Sequence, residues 1–336
     1  IEINECVFNY IIRYATENGI EDKDSGSIGQ IVNSLQGSAC ACLITLYNHP
    51  VYKVQIIPLI KTILENGTSH IKIAILQREA YLMNIDREMA FELFLDCVKE
   101  VDSDVIHTAQ WSLQYFYFRY AERLVDFFET SVQFLDDHTI RRNYTIFITQ
   151  LYMEGYAGYD RIMNKLLEKY SGPLDVVFEV ALAYYSKAEY KERSLMLLRR
   201  FFDYKQEEVC ENYELAILRR DDKMEWVEYR DFIEEYVKAP VFCSGGHQYL
   251  ADYLFEQSSK YPKQVLDILN VVDIGHLIGN PKNWYRAEEK CMKIVLCALN
   301  YVQNDSVYIE RITNIVDQIL MNSRRQDVLV QQLDNR

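Results

Sequence analysis

Residues 102–120, DSDVIHTAQWSLQYFYFRY, carry the pattern that decides the fold. A polar cluster opens the stretch, and side chains of this kind accept hydrogen bonds from the free N–H groups of a helix's first turn. The branched aliphatic Val105 follows the cluster, and Ala109 comes four residues later, on the same face of a helix. The stretch therefore predicts an amphipathic α-helix with a capped N-terminus.

The same pattern recurs along the chain at separations of 33 to 36 residues. Each recurrence is preceded by another amphipathic segment, as in 56–64, 124–134 and 195–202. A two-helix unit that repeats at this period is typical of an α-solenoid, in which neighbouring pairs bury the face that one pair cannot bury alone. The aliphatic anchors that open the second helices are Leu35, Ile71, Val105, Ile140, Val176 and Val209.

Turn-forming residues are scarce, with only 12 Gly and 6 Pro in the chain, which predicts an all-α fold rather than a sheet protein. The period stops near residue 240, where Pro240 and the pair Gly245-Gly246 interrupt the helical pattern. We therefore expect a right-handed solenoid of about six helix pairs over 1–240 and a helical C-terminal cap over 241–336. Further helices are predicted near 248–257, 263–271, 284–302 and 307–321.

Two repeat families fit helix pairs of this length. A tetratricopeptide repeat would show small residues and a Trp-Leu-Gly pattern at fixed positions, and these are absent. A HEAT-like repeat often begins its second helix with an aliphatic residue followed by Arg, as in Ile140-Arg141. HEAT units are longer, at about 40–47 residues, so these would be short units with tight turns. The pattern favours a HEAT-like solenoid.

Charge and cysteine content narrow the partners and the compartment. The 336 residues include 36 Lys+Arg and 50 Asp+Glu, and a formal net charge of −14 argues against nucleic-acid binding. No apolar run reaches the roughly 18 residues that would predict a membrane span. Eight cysteines without a C-x-x-C motif are typical of a reducing, cytoplasmic compartment. Because the chain begins at Ile1 rather than Met, we expect it to be part of a longer polypeptide.

Several blocks resemble the α-helical repeat region that follows the nucleotide-binding module of bacterial STAND-type NTPases. Residues 33–39, NSLQGSA, are similar to an N-[ST]-V-R-G-x-A block of that family, with Gln36 where the family has Arg. Residues 86–94, DREMAFELF, resemble its D-R-x-x-A-L-x-L-F helix, and 315–320, IVDQIL, resemble a late helix. The segment 284–299 and the closing 333–336 also resemble the family, so the order of blocks matches across nearly the whole chain.

The resemblance implies a C-terminal, HEAT-like repeat region of a NACHT- or AAA-like NTPase of the kind implicated in anti-phage defence. In that family the repeats are thought to act as sensor or regulator, while the NTPase module acts as an oligomerising switch. The implied partner is a phage protein or the NTPase or effector module of the same chain, and the full-length protein could then oligomerise. The alternative is a free-standing HEAT-like scaffold for a cytoplasmic protein complex.

The sequence offers no constellation for catalysis. No Gly is followed by Lys, so a P-loop for ATP is absent. No two histidines stand four residues apart, as a helix-borne zinc site would require, and no Gly-x-Ser-x-Gly motif occurs. We therefore predict no catalytic residue, no cofactor and no metal site in this region, and any ATPase activity would belong to an upstream module.

The aromatic residues of 111–120 leave two interpretations open. Packing between repeats is favoured, and a Tyr-rich recognition surface is the alternative. Solenoids usually bind partners along the face lined by their second helices, and here a protein with basic patches would suit the negative charge. The outward residues that we predict to contact such a protein are Gln77, Gln110, Arg141 and Arg219.

Overall fold

The prediction of an all-α fold is confirmed. The computed structural model describes residues 3–16, 31, 34–65, 67–169, 174–218, 226–243, 249–279, 284–302 and 305–323. Within these residues the regular secondary structure consists of nineteen α-helices and five short 3₁₀ segments, with no strand. By compactness the chain divides into a first unit, Ile1–Tyr170, and a second unit, Ser171–Arg336.

The described residues of the first unit form nine α-helices. They are α1 (Glu5–Thr16), α2 (Leu35–Thr45), α3 (Lys53–Glu65), α4 (Ser69–Leu76), α5 (Arg87–Cys97), α6 (Ser103–Phe116), α7 (Val125–Ser131), α8 (His138–Glu154) and α9 (Tyr159–Lys169). The 3₁₀ segments of this unit are Leu46–Asn48, Glu79–Asn84, Ala121–Leu124 and Val132–Phe134. Helix α2 packs on α4, α4 on α6 and α6 on α8, while α3 packs on α5 and α7 on α9. Alternate helices therefore pack as neighbours in the order of the sequence.

Side-chain caps explain why the helices begin where the sequence predicts. The Ser34 hydroxyl accepts a hydrogen bond from the backbone N–H of Gly37 at 3.0 Å. The carboxylates of Asp86 and Asp102 accept from the third N–H of α5 and α6, at 3.1 and 2.8 Å. Asp137 caps α8 in the same way, at 3.0 Å from Ile140 N. Each cap satisfies a backbone donor that a helix end would otherwise leave open, which is worth about 1 kcal/mol.

The anchor positions agree with the structure in five of the six helices. These five are each the third residue of their helix and are buried, whereas Leu35 is the first residue of α2 and is 50% exposed. The third residue of α2 is Gly37, which is buried. Because the Ser34 cap makes Leu35 the first residue of α2, the position equivalent to the other five anchors is Gly37, two residues after the anchor that we predicted.

Hydrogen bonds between successive packed helices span about one repeat of sequence. The hydroxyl of Tyr144 donates to the backbone oxygen of Ile106 at 3.0 Å, and that of Tyr159 donates to Ala121 O at 2.8 Å, each across 38 residues. Both tyrosine side chains are buried. A buried hydroxyl without a partner would be costly, so these bonds hold α8 against α6, and α9 against the 3₁₀ segment that precedes α7.

In the second unit, the part of the chain that the structure describes forms ten α-helices. They are α10 (Leu174–Tyr185), α11 (Lys191–Arg199), α12 (Glu207–Leu218), α13 (Trp226–Tyr236), α14 (Pro240–Cys243), α15 (Leu250–Ser258), α16 (Pro262–Val271), α17 (Ile274–Gly279), α18 (Trp284–Val302) and α19 (Ser306–Asn322), with a 3₁₀ segment at Ala188–Tyr190. The helices predicted after residue 240 correspond to α15, α16, α18 and α19. Among the described residues, no helix combines the length and the apolar composition that crossing a membrane requires.

Packing in the second unit continues across residue 240. Helix α10 contacts α12, α12 contacts α15, and α15 contacts α18. The buried side chain of Glu214, on α12, accepts hydrogen bonds from the backbone N–H groups of Tyr249 and Leu250, each at 3.0 Å. One carboxylate oxygen thus caps the N-terminus of α15 from the preceding helix of the row. The division of the chain into a solenoid domain over 1–240 and a C-terminal cap over 241–336 stays a prediction.

Candidate functional site

The aromatic segment of α6 divides between two faces. Phe116 and Tyr120 are buried, so the packing interpretation holds for them. Trp111, Tyr115 and Phe118 are 63%, 56% and 41% exposed. Their spacing of four and three residues puts these three side chains on one side of the helix and the turn that follows it. We call these three residues the aromatic face.

The buried side of α6 holds the aromatic face in place. The rings of Phe91 and Tyr120 stack with centroids 3.8 Å apart, and the Phe116 ring lies 5.4 Å from Phe91 and 5.3 Å from Phe94. These contacts join α6 to α5 through large, fully packed side chains. The packing of Phe116 and Tyr120 therefore fixes the backbone that carries the exposed rings. A ligand would not have to order that backbone on binding.

Helix α8 borders the aromatic face. The Tyr117 ring lies 4.7 Å from the Phe147 ring, and the Tyr117 hydroxyl donates to Gln150 Oε1 at 2.7 Å. The Tyr156 hydroxyl donates to the backbone oxygen of Phe118 at 3.3 Å, and the two rings meet edge to face. Phe147, Gln150 and Tyr156 are all half-buried, and we call them the α8 border. The border extends the apolar surface and adds an amide group at its edge.

Acidic side chains stand at both ends of this surface. Asp104 is exposed in the first turn of α6, and residues 102–118 include no Lys or Arg. At the other end Glu154 lies close to Tyr117, since burial and the charge of Glu154 both raise the pKa of that tyrosine. Arg119 follows the face directly, but its guanidinium group lies over the Tyr120 ring, 5.8 Å from the centroid.

The four predicted contact residues occupy different environments. Gln77 is exposed directly after α4. Gln110 is buried: its Nε2 donates to His107 O and its Oε1 accepts from Asn143 Nδ2, both at 2.8 Å. The expectation that Gln110 faces outward is corrected, because this amide joins α6 to α8. Arg141 is half-buried and donates to Leu135 O at 3.2 Å, in the turn before its own helix.

Arg219 lies outside the described residues, and the binding roles of all four residues stay predictions. The sequence marked 111–120 as densely aromatic but did not identify Trp111, Tyr115 and Phe118 as the exposed members. Helix α6 has large apolar residues on both of its faces, so their spacing alone could not show which face is buried.

The described residues also contain titratable groups away from this surface. No group of three or more His, Cys, Asp or Glu among them is placed to hold a metal ion. Burial raises the pKa of the Cys40 thiol to about 11 and that of the Cys291 thiol to about 12. Nucleophilic cysteines have lowered pKa values, so these two thiols are typical of core packing.

Comparisons with protein-family models, with curated proteins and with solved structures give no match. The interpretation of the surface therefore depends on its own geometry. Its distinguishing feature is the contrast within α6, where one side is fully packed and the other presents three large aromatic side chains to solvent.

Proposed function

We propose that this chain is a protein-binding, HEAT-like helical repeat region that binds its partner through the aromatic face. The row α2–α4–α6–α8 supports the repeat architecture, as do hydrogen bonds that join helices across about one period. The observation that carries the binding function is the exposure of Trp111, Tyr115 and Phe118 on the solvent side of one packed helix.

The size and chemistry of the aromatic face suit a protein interface. A large aromatic side chain contributes about 150–250 Å² when buried, so three that are roughly half exposed offer about 200–400 Å². One side of a standard interface covers about 800 Å², which the α8 border and the neighbouring turns could complete. Trp and Tyr are enriched among residues that dominate binding energy, because they bring large contact area with few rotatable bonds.

The biological setting of this proposal is the sensor or regulatory region of a bacterial STAND-type NTPase, acting in the cytoplasm in defence against phage. The resembling blocks 33–39 and 86–94 are the reason for it, and Ser34 and Asp86, within the first two residues of these blocks, each cap a helix. Gln36, which replaces the family's Arg, donates its amide to the backbone oxygen of Ala15 at 3.2 Å. The partner would be a phage protein or another module of the same polypeptide, and catalysis would lie outside this region.

A free-standing scaffold for a cytoplasmic complex is the second candidate, supported by the same surface. The coding sequence separates the two proposals. An in-frame upstream segment with a P-loop would support the NTPase setting, and a Met codon directly before Ile1 would support the scaffold.

Site-specific photo-crosslinking in the native cell tests the binding function. A benzoylphenylalanine is placed at Trp111 or at Tyr115 of the full polypeptide, with Met196 and Val227 as control positions because they are exposed apolar residues of the second unit. We expect a discrete adduct with one protein from the first two positions and not from the controls. The proposal fails if positions 111 and 115 give no adduct, or if all four positions capture the same proteins equally.

A further inference from the structure

We propose that the ligand of the aromatic face is a basic polypeptide segment, whose Arg or Lys side chains lie over Trp111 and Tyr115 and approach Asp104 and Glu154. This inference depends on the proposed protein-binding function and adds the chemical class of the ligand. It follows from three features of the surface: its unoccupied rings, its charge and its length.

The first feature concerns Trp111 and Tyr115, the two most exposed rings of the aromatic face. Elsewhere in the chain, cationic groups lie over aromatic rings: Arg123 over Phe91 at 4.8 Å, Lys187 over Tyr184 at 4.9 Å and Lys53 over Tyr47 at 5.0 Å. Among the described residues, none lies over Trp111 or Tyr115. Trp is the aromatic side chain that attracts cations most strongly.

The second feature is charge complementarity. A basic segment laid along α6 would meet no Lys or Arg between residues 102 and 118 and would find carboxylates at both ends of the face. The arginines of α8 lie near its N-terminus, where Arg141 donates to the carbonyl oxygens of Leu135 and Asp136. The net charge of −14 adds a long-range attraction for cations, which speeds association.

The third feature is the length of the surface. From Asp104 to Phe118, a rise of about 1.5 Å per residue gives a face about 20 Å long. An extended peptide advances about 3.3 Å per residue, so about six ligand residues would cover it. Cations near both ends of such a segment would reach Asp104 and Glu154 while its centre covers the rings.

Selection from a random dodecapeptide phage library tests this ligand chemistry. The library is selected on the wild-type chain and on the double variant W111S/Y115S. The matched control is M196S/V227S, which removes two exposed apolar side chains of the second unit. Circular dichroism melts establish that all three proteins are folded. We expect peptides that are enriched on the wild type and the control but not on W111S/Y115S, with an excess of Arg and Lys.

Synthetic versions of the enriched peptides then quantify the contacts. Replacing each of two cationic residues by Gln should weaken binding at least fivefold, and D104N/E154Q should weaken it several-fold. Raising NaCl from 50 to 500 mM should weaken binding at least tenfold. Enriched peptides that depend on Trp111 and Tyr115 but are acidic or uncharged would overturn the basic ligand and leave the protein-binding function intact. If no enriched peptide depends on these two residues, the proposed function fails as well.

Discussion

The two compact units bury glutamate side chains in contrasting ways. In the second unit, the carboxylate of Glu214 accepts two backbone hydrogen bonds and so joins α12 to α15. In the first unit, Glu79 is completely buried, and neither of its carboxyl oxygens has a hydrogen-bond partner among the described residues. Burial raises the pKa of Glu79 to about 8. A buried glutamate thus links two helices through hydrogen bonds in the second unit, whereas in the first unit it is a core group that is protonated at neutral pH.

The neighbours of Glu79 explain why it lacks a partner. It begins the 3₁₀ segment Glu79–Asn84, which packs against α2, α4, α5 and α6. The Ser112 hydroxyl lies near the Glu79 carboxyl group but donates to Leu76 O at 3.1 Å. Cys97 is also close, since burial and the charge of Glu79 raise the pKa of its thiol. The Ser112 hydroxyl and the backbone N–H groups of Glu79 and Ala80 lie close enough to lower the pKa of Glu79, but burial has the larger effect.

The largest effect expected from this contrast is a pH-dependent loss of stability caused by Glu79. Its pKa is about 8 in the folded protein against an ordinary 4.5, so the folded state binds more protons between these values. Stability should therefore fall as pH rises through this window, by up to about 1.4 kcal/mol per pH unit relative to Glu79→Gln. The full penalty is present above about pH 8 and is absent below 4.5. Urea unfolding at pH 5, 6.5 and 8.5 measures it.

A matched control for this experiment is Glu100→Gln, which removes an exposed carboxylate of the same unit. Its unfolding free energy should not diverge from that of the wild type as pH rises from 6.5 to 8.5. Parallel curves for the wild type and Glu79→Gln over that range would show that Glu79 is ionised in the folded protein.

The next largest effect should come from Glu214→Ala. This change leaves the N–H groups of Tyr249 and Leu250 without their acceptor, and we expect a loss of about 2–3 kcal/mol in unfolding free energy. Glu208→Ala, an exposed position on the same helix, should change stability by less than about 0.5 kcal/mol. Equal effects of the two changes would mean that Glu214 does not tie α12 to α15.

Much of the fold could be predicted from local signals, whereas these buried acids could not. Asp86 and Asp102 precede apolar helical patterns, and such caps act within one turn of the chain. Glu79 is a charged residue of a type usually found at the surface, and its burial results from the packing of its 3₁₀ segment against α2, α4, α5 and α6 together, which no local pattern specifies.

The candidate site shows the same limit. The aromatic density of 111–120 was visible in the sequence, but the exposure of Trp111 and Tyr115 depends on which side of α6 meets α5. Gln110 was expected on the surface for the converse reason, because the bond that it accepts from Asn143 comes from α8, 33 residues later in the sequence.

Hydrogen bonds from neutral tyrosine hydroxyls should contribute less to stability than those of the buried Glu214 carboxylate. Tyr159→Phe removes the hydroxyl that donates to the backbone oxygen of Ala121, at a buried position, and we expect a loss of about 1 kcal/mol. Tyr156→Phe removes a longer bond at a half-buried position, so its effect should be about half as large. Chemical denaturation of both variants measures the difference. A loss of more than about 2 kcal/mol in unfolding free energy for Tyr159→Phe would show that neutral hydrogen bonds contribute as much as those of the Glu214 carboxylate.

The smallest effect on stability should come from an ion pair at the surface. Glu92 and Arg123 form an ion pair at 2.6 Å, and both side chains are more than 40% exposed. Because solvent screens such a pair, a double-mutant cycle with Glu92→Gln and Arg123→Gln should give a coupling of about 0.5 kcal/mol or less. The coupling should decrease in 0.5 M NaCl. A coupling above about 1.5 kcal/mol would show that surface and buried carboxylates contribute alike.

Hydrogen exchange on the full chain, with and without a peptide selected on the wild-type chain, tests binding at the aromatic face most directly. The backbone amides of 104–118 should exchange more slowly when the peptide is bound, as should those of 146–156, which carry the α8 border. The W111S/Y115S variant should show neither change at the same peptide concentration. Slower exchange confined to the second unit, with 104–118 unaffected, would contradict binding through the aromatic face.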